Sequence, residues 1–161
     1  MDSCCGPPGY DRVFGRRLAR RSARRYRRHG LTPDARRIVE IVAASGLEGA
    51  EVLEIGGGVG EIQVELLRRG AARATNLELV GTYEDDATAI AREAGVADRV
   101  ERRLGDVAVD PGVAPVADVV VLHRVVCCYP DVRALLGAAA DHARRLVVFS
   151  HPPDTWLLRA L

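Results

Sequence analysis

The stretch Val52-Leu53-Glu54-Ile55-Gly56-Gly57-Gly58-Val59-Gly60-Glu61 decides how this chain is read. An apolar run carrying one acid ends in glycines at alternate positions, Gly56, Gly58 and Gly60, and a helical pattern begins at Glu61. That is the order of a strand, a tight turn and a helix N-terminus. Glycine admits positive φ, and its missing side chain lets a bulky ligand lie against the main chain. The N–H groups of such a turn, and the dipole of the helix behind it, attract an anionic group. A dinucleotide fingerprint, G-x-G-x-x-G, would put its third glycine where Glu61 stands, so the spacing argues against that class.

The neighbouring segments agree with one another. A second apolar run, Ala74-Thr75-Asn76-Leu77-Glu78-Leu79, carries Glu78 near its C-terminal end, 18 residues after Gly60. In a doubly wound sheet an acid at that place accepts ribose hydroxyls. A third strand, roughly 99–103, leads into Leu104-Gly105-Asp106-Val107. A fourth, Ala117 to Leu122, runs into His123-Arg124 and the segment H-R-V-V-C-C-Y-P-D, His123 to Asp131. With Glu54 two residues before Gly56, the loop reads E-x-G-x-G-x-G. Together these features resemble the class I S-adenosylmethionine (SAM) dependent methyltransferases of the small-molecule type, over roughly residues 35–150. The resemblance implies SAM as cofactor, held by Glu54, Gly56, Gly58, Gly60, Glu78, Leu79, Gly105, Asp106, Val107 and His123. It also implies that Asp106 contacts the adenine amino group and that the end of the fourth strand faces the reactive methyl.

Elsewhere the pattern alternates strand and helix. Helices are predicted near 12–28, from Thr32-Pro33 (N-cap and first helical residue), and near 59–69, 84–94 and 131–142. In the helix after Thr32, Ala35, Ile38, Ile41 and Val42 form the expected buried stripe. A fifth strand is predicted from Leu146 to Phe149. Apolar strands alternating with helices argue an α/β fold, a doubly wound Rossmann-like parallel sheet with helices on both faces. Right-handed crossovers and a switch point between strands 1 and 4 give the order 3-2-1-4-5. Residues 1–33 read as a leader and a basic helix, and 34–161 as the SAM-binding domain. The family continues past strand 5 with a helix and a hairpin, strands 6 and 7. Eleven residues follow Ser150 here, so these strands are expected to be missing, leaving strand 5 as an edge open to self-association.

Composition narrows the classes. A chain of 161 residues with 48% hydrophobic content suits one globular domain. No apolar run approaches the roughly 20 residues of a membrane helix and no secretion signal opens the chain, so a cytoplasmic protein is expected. All 23 basic residues are Arg. Residues 1–37 hold 11 Arg against three acids, while the other 12 Arg face 19 acids. The basic helix reads either as an N-terminal lid, with Phe14, Leu18 and Tyr26 packed inward, or as an arm that binds RNA phosphates.

The remaining candidates stay open at this level. His123 reads as a general base for a substrate hydroxyl, as a contact to substrate or cofactor, or as packing. Arg124 either binds a substrate carboxylate or pairs with Asp118 or Asp131, and His151 could line the same pocket. Tyr83 either flanks the adenosine or packs on the helix after it, and Glu84 is expected on a helix surface. The pairs Cys4-Cys5 and Cys127-Cys128 lack metal-ligand spacing; Cys127 and Cys128 read as small apolar residues near a helix start, against a four-thiolate site built from both pairs, and no metal is expected. The leading function is methyl transfer from SAM to a small organic molecule, at oxygen. The rivals are an RNA methyltransferase using the basic arm and a non-catalytic SAM-binding remnant.

Overall fold

The computed structural model describes residues 14–151; the leader, Cys4-Cys5 and the tail after His151 lie outside the described residues. Helix α1 spans Arg16–His29 and α2 spans Pro33–Ala44. Then follow β1 (Glu51–Ile55), α3 (Glu61–Arg68), β2 (Arg73–Glu78) and α4 (Glu84–Glu93). β3 (Val100–Leu104), β4 (Ala117–Leu122), α5 (Val132–Asp141) and β5 (Ala143–Phe149) complete the order. The five strands are parallel and run β3-β2-β1-β4-β5, the expected order.

Period-two alternation divides the core. Val52, Val119, Val121 and Val148 face the side covered by α2, α3 and α4, with Ile38, Val39, Leu66 and Ile90 among the buried partners. Leu53, Leu77, Val120 and Leu122 face the other side, where Leu135 and Ala139 of α5 close the layer. Thr32 caps α2 as expected, its hydroxyl accepting the Ala35 N–H at 3.3 Å. The buried stripe of α2 is Ala35, Ile38, Val39 and Val42. Ile41, expected inside, is 44% exposed because the i, i+3, i+4, i+7 face passes through Val39 instead.

Two further expectations are corrected. β5 begins at Ala143, three residues before Leu146. Arg144 and Arg145 break its apolar pattern, but they stand exposed at the edge, where Arg144 pairs with Glu51 at 2.9 Å. In α1 the buried residues are Ala19 and Ala23, with Phe14 and Tyr26 partly buried against the same core, while Leu18 is 38% exposed. The packing of this helix is fixed by Tyr26, whose hydroxyl donates to Glu65 at 2.6 Å, and by the Arg27–Glu93 pair at 2.7 Å. Among the described residues β5 pairs with β4 alone, and no helix is long and apolar enough to cross a membrane.

Candidate functional site: a cleft at the strand C-termini

Register brings the candidate residues together. Ile55 pairs with Leu77 and Glu78 with Leu104, so β1, β2 and β3 end on one rim. Backbone bonds carry the ladder one step into the loops: Gly56 N–H donates to Leu77 O at 2.7 Å and Gly105 N–H to Glu78 O at 2.9 Å. A cavity of about 280 Å³ opens above this rim, where the strand order reverses across β1 and β4. It is lined by Glu54, Gly56, Gly58, Glu78, Leu79, Gly105, Asp106, Val107 and His123, nine of the ten expected cofactor residues. Gly60, the tenth, is not on the lining; at φ 78° it is the left-handed cap residue that starts α3.

The loop is shaped by what lies beneath it. Gly56, Gly58 and Gly60 all have positive φ, a conformation glycine adopts without strain. A Cβ on Gly56 would sit 2.5 Å from Val125 Cγ2, and one on Gly57 would meet the Asn76 amide at 2.3 Å. A Cβ on Gly58 would instead point toward the Tyr83 ring at 3.6 Å, across the cavity wall. Glu54 touches the cavity, yet the residue is 2% exposed and its carboxyl lies under the loop, accepting the Gln63 N–H of α3 at 3.3 Å. Burial and the nearby Glu61 push its pKa well up, opposed by the Gln63 N–H.

Glu78 is one of four carboxylates on the lining, with Glu54, Glu61 and Asp106. It accepts the Gly58 N–H, which ties the end of β2 to the glycine loop. Burial raises its pKa to about 7, opposed by the Gly58 N–H and by Arg102. Arg102, reaching in from β3, pairs with Glu84 at 2.9 Å and donates to Gly58 O at 3.2 Å. Glu84 is therefore no bland surface acid; it anchors the arginine that holds the loop. Asp106 accepts the Tyr129 hydroxyl at 3.0 Å on each oxygen and the Ala108 N–H at 3.0 Å. Tyr83 both lines the cavity and packs in the core, and burial raises its pKa to about 12.

The rim residues make contacts far apart in the chain. His123 Nδ1 lies 3.0 Å from Ser150 Oγ, which also accepts the Arg124 N–H at 2.9 Å. Burial, with Arg124 and Arg25 nearby, lowers the His123 pKa to about 4, so the ring is neutral at physiological pH. Arg124 pairs with Asp34 of α2 at 3.3 Å, not with Asp118 or Asp131. Asp118 instead accepts the Glu51 N–H, and Asp131 caps α5 through the Ala134 N–H. Arg124 holds φ 59° without being glycine, a strained backbone at the mouth of the cavity. His151 is exposed and not on the cavity lining. Cys127 is exposed, its Sγ 3.5 Å from that of Cys128.

Sequence reasoning offered α1 as a lid with Phe14 and Leu18 inward but missed Arg25 on its cavity side. Phe14, Leu18, Ser22 and Arg25 of the α1 segment line the cavity, with Thr82 Oγ1 donating to Phe14 O at 2.5 Å. It also missed Arg102, Tyr129 and Ser150, which act through contacts far apart in sequence.

An open parallel sheet with this order, with a glycine turn at the switch point and an acid ending β2, makes a doubly wound α/β fold. Comparison with solved structures narrows the class to the fold of SAM-dependent methyltransferases. Magnesium protoporphyrin IX methyltransferase from Synechocystis PCC 6803, solved with S-adenosylhomocysteine bound, superposes with a TM-score of 0.69 at 22% identity, over 79% of this chain and 58% of that one. A Pyrococcus horikoshii protein provisionally described as an RNA methyltransferase gives 0.63 at 18% identity, over 78% and 61%. An O-methyltransferase family protein from Burkholderia thailandensis gives 0.62 at 22%, over 78% and 42%. The chain thus spans about two-fifths to three-fifths of the length of these structures. No protein-family model matches the sequence, and no curated protein does either.

Proposed function

We propose that this chain binds SAM and transfers its methyl group to a small organic molecule, at oxygen. The observation that carries the reading is the convergence of the glycine loop, Glu78 and Asp106 on one roofed cavity at the switch point. The residues fit the cofactor. Glu78 is a buried carboxylate bordering the cavity, suited to accept two ribose hydroxyls. Asp106 retains acceptor capacity for an adenine amino group. Gly58 leaves room where the cofactor would meet the main chain, and Arg25 brings a guanidinium to the lining, suited to a carboxylate.

When bound, SAM supplies a methyl carbon made electrophilic by its sulfonium. The protein's task is then to align the acceptor and to exclude water. The roof of α1 excludes water, and its closeness to the rim favours a small acceptor over a polymer threading the site. His123, neutral and held by Ser150, would accept a hydrogen bond from an acceptor hydroxyl and take up its proton. A base this weak suits an acidic hydroxyl, such as a phenol, better than an aliphatic alcohol.

Calorimetry with SAM, S-adenosylhomocysteine and NAD tests the cofactor assignment. Saturable binding of the first two and none of NAD is expected; binding of NAD alone would overturn it. Turnover of a hydroxylated aromatic panel then separates a working enzyme from a SAM-binding remnant. A pH series adds an independent check. An ionised Glu78 is the better acceptor for ribose hydroxyls, and its pKa is raised to about 7. SAM affinity is therefore expected to rise with pH through about 7 and to fall by up to about tenfold for each unit below it. Glu78→Gln should flatten this profile; an unchanged slope would remove Glu78 from the cofactor contact.

A further inference from the structure

The side of α1 that turns away from the domain is unexplained by methyl transfer. At 100° per residue the helix divides into three faces. Ala19, Ala23 and Tyr26 point into the core, and Leu18, Ser22 and Arg25 border the cavity. Arg17, Arg20, Arg21, Arg24 and Arg28 fall within a single outward stripe; all five are exposed and share a surface groove. None of the five has an acidic partner among the described residues, whereas Arg25 and Arg27 of the adjoining faces pair with Glu61 and Glu93.

This arrangement is unfavourable on its own terms. Arg17–Arg21, Arg20–Arg24 and Arg24–Arg28 are like charges at i, i+4, each destabilising by about 0.2–0.5 kcal/mol. Arg16 and Arg17 also stand in the first turn, against the positive end of the dipole. Arg in place of Lys carries no information here, because the whole chain uses Arg alone. The telling feature is the lack of any acid from Arg16 to His29, while the rest of the protein mixes both signs. A line of cations about 16 Å long, at 1.5 Å rise per residue, complements a linear array of anions.

We propose that this stripe is a docking rail for the phosphodiester backbone of a nucleic acid, running beside the mouth of the cavity. Guanidinium groups bind phosphate oxygens through paired N–H donors, and the helix lets successive turns meet successive phosphates. A lipid surface fits less well. A membrane-lying helix inserts an apolar face between its basic flanks, and the apolar face of α1 is already buried against the domain. The rail does not depend on the SAM reading, and its test uses no cofactor.

The test is fluorescence anisotropy of the full chain with a labelled 20-nucleotide RNA and a DNA duplex of equal length, in 50 to 200 mM salt. Each phosphate neutralised contributes a log–log slope of about −0.7 on a single strand and −0.9 on a duplex. Five contacts predict slopes of about −3.5 to −4.5, so affinity falls about 130- to 500-fold over that range. Replacing Arg17, Arg20, Arg21 and Arg24 by Gln should reduce the loss to less than about fivefold, while four Lys replacements should restore most of the slope. If the Gln variant melts early, single Arg→Gln changes, each removing about 0.7–0.9 from the slope, give the same reading. Salt-dependent binding to phosphatidylserine vesicles without nucleic-acid binding, or RNA affinity unchanged in the Gln variant, would overturn the proposal.

Discussion

Replacing Glu78 by alanine is expected to weaken SAM and S-adenosylhomocysteine together, by at least about 30-fold, or roughly 2 kcal/mol. Both ligands share the ribose, and hydrogen bonds to a charged acceptor contribute about 1.5–3 kcal/mol each. Asp85→Ala is the matching control, because Asp85 is exposed on α4 and near the same rim. Glu84→Ala cannot serve: it would release Arg102, which holds Gly58 O, and should itself weaken binding. The fold should tolerate the loss of Glu78. Its carboxyl has a raised pKa in the folded protein, so the folded state binds the extra proton between about 4.5 and 7. Its contribution to stability therefore declines as pH rises through that window, and the alanine variant should melt no earlier than the parent at pH 8. Calorimetry and thermal melts read both halves. Equal ligand affinity in the Glu78 and Asp85 variants would end the ribose assignment.

The sheet order, the glycine turn and the acid at the end of β2 were legible because each depends on local chemistry. A strand of alternating burial, a run of glycines and a helix start are written within about ten residues. The error at Ile41 was of one helical step, since Val39 and Ile41 are equally apolar and only the core decides between them. Arg144 and Arg145 hid the start of β5 because an edge strand carries charge without cost when Glu51 and Asp118 stand beside it. The second layer of the site was not legible at all. Arg102 meets Gly58 across 44 positions, Ser150 meets His123 across 27, and Tyr129 meets Asp106 across 23. Nothing local marks these residues, for an arginine in a strand or a serine after one has many ordinary uses. The lid was half legible: the narrow apolar face of α1 showed that it packs, but not that Leu18, Ser22 and Arg25 would roof the cavity.

Gly58→Val separates the loop's shape from its contents. Gly58 has φ 57°, which costs a β-branched residue more than about 1–2 kcal/mol, and its Cβ would enter the cavity toward Tyr83. The N–H that meets Glu78 would be displaced as well. SAM binding is expected to fall by at least about tenfold, or roughly 1.4 kcal/mol, with a lower melting temperature. Gly95→Ala provides the comparison. It has φ 70° and nothing within 4 Å of an added Cβ, so it bears the backbone strain without a ligand nearby. That variant should lose stability by about 1–2 kcal/mol and bind SAM as the parent does. If both variants melt earlier but only Gly58→Val loses the cofactor, the loop meets the ligand. If Gly58→Val folds and binds at full strength, the glycine turn only joins β1 to α3, and the cofactor lies elsewhere.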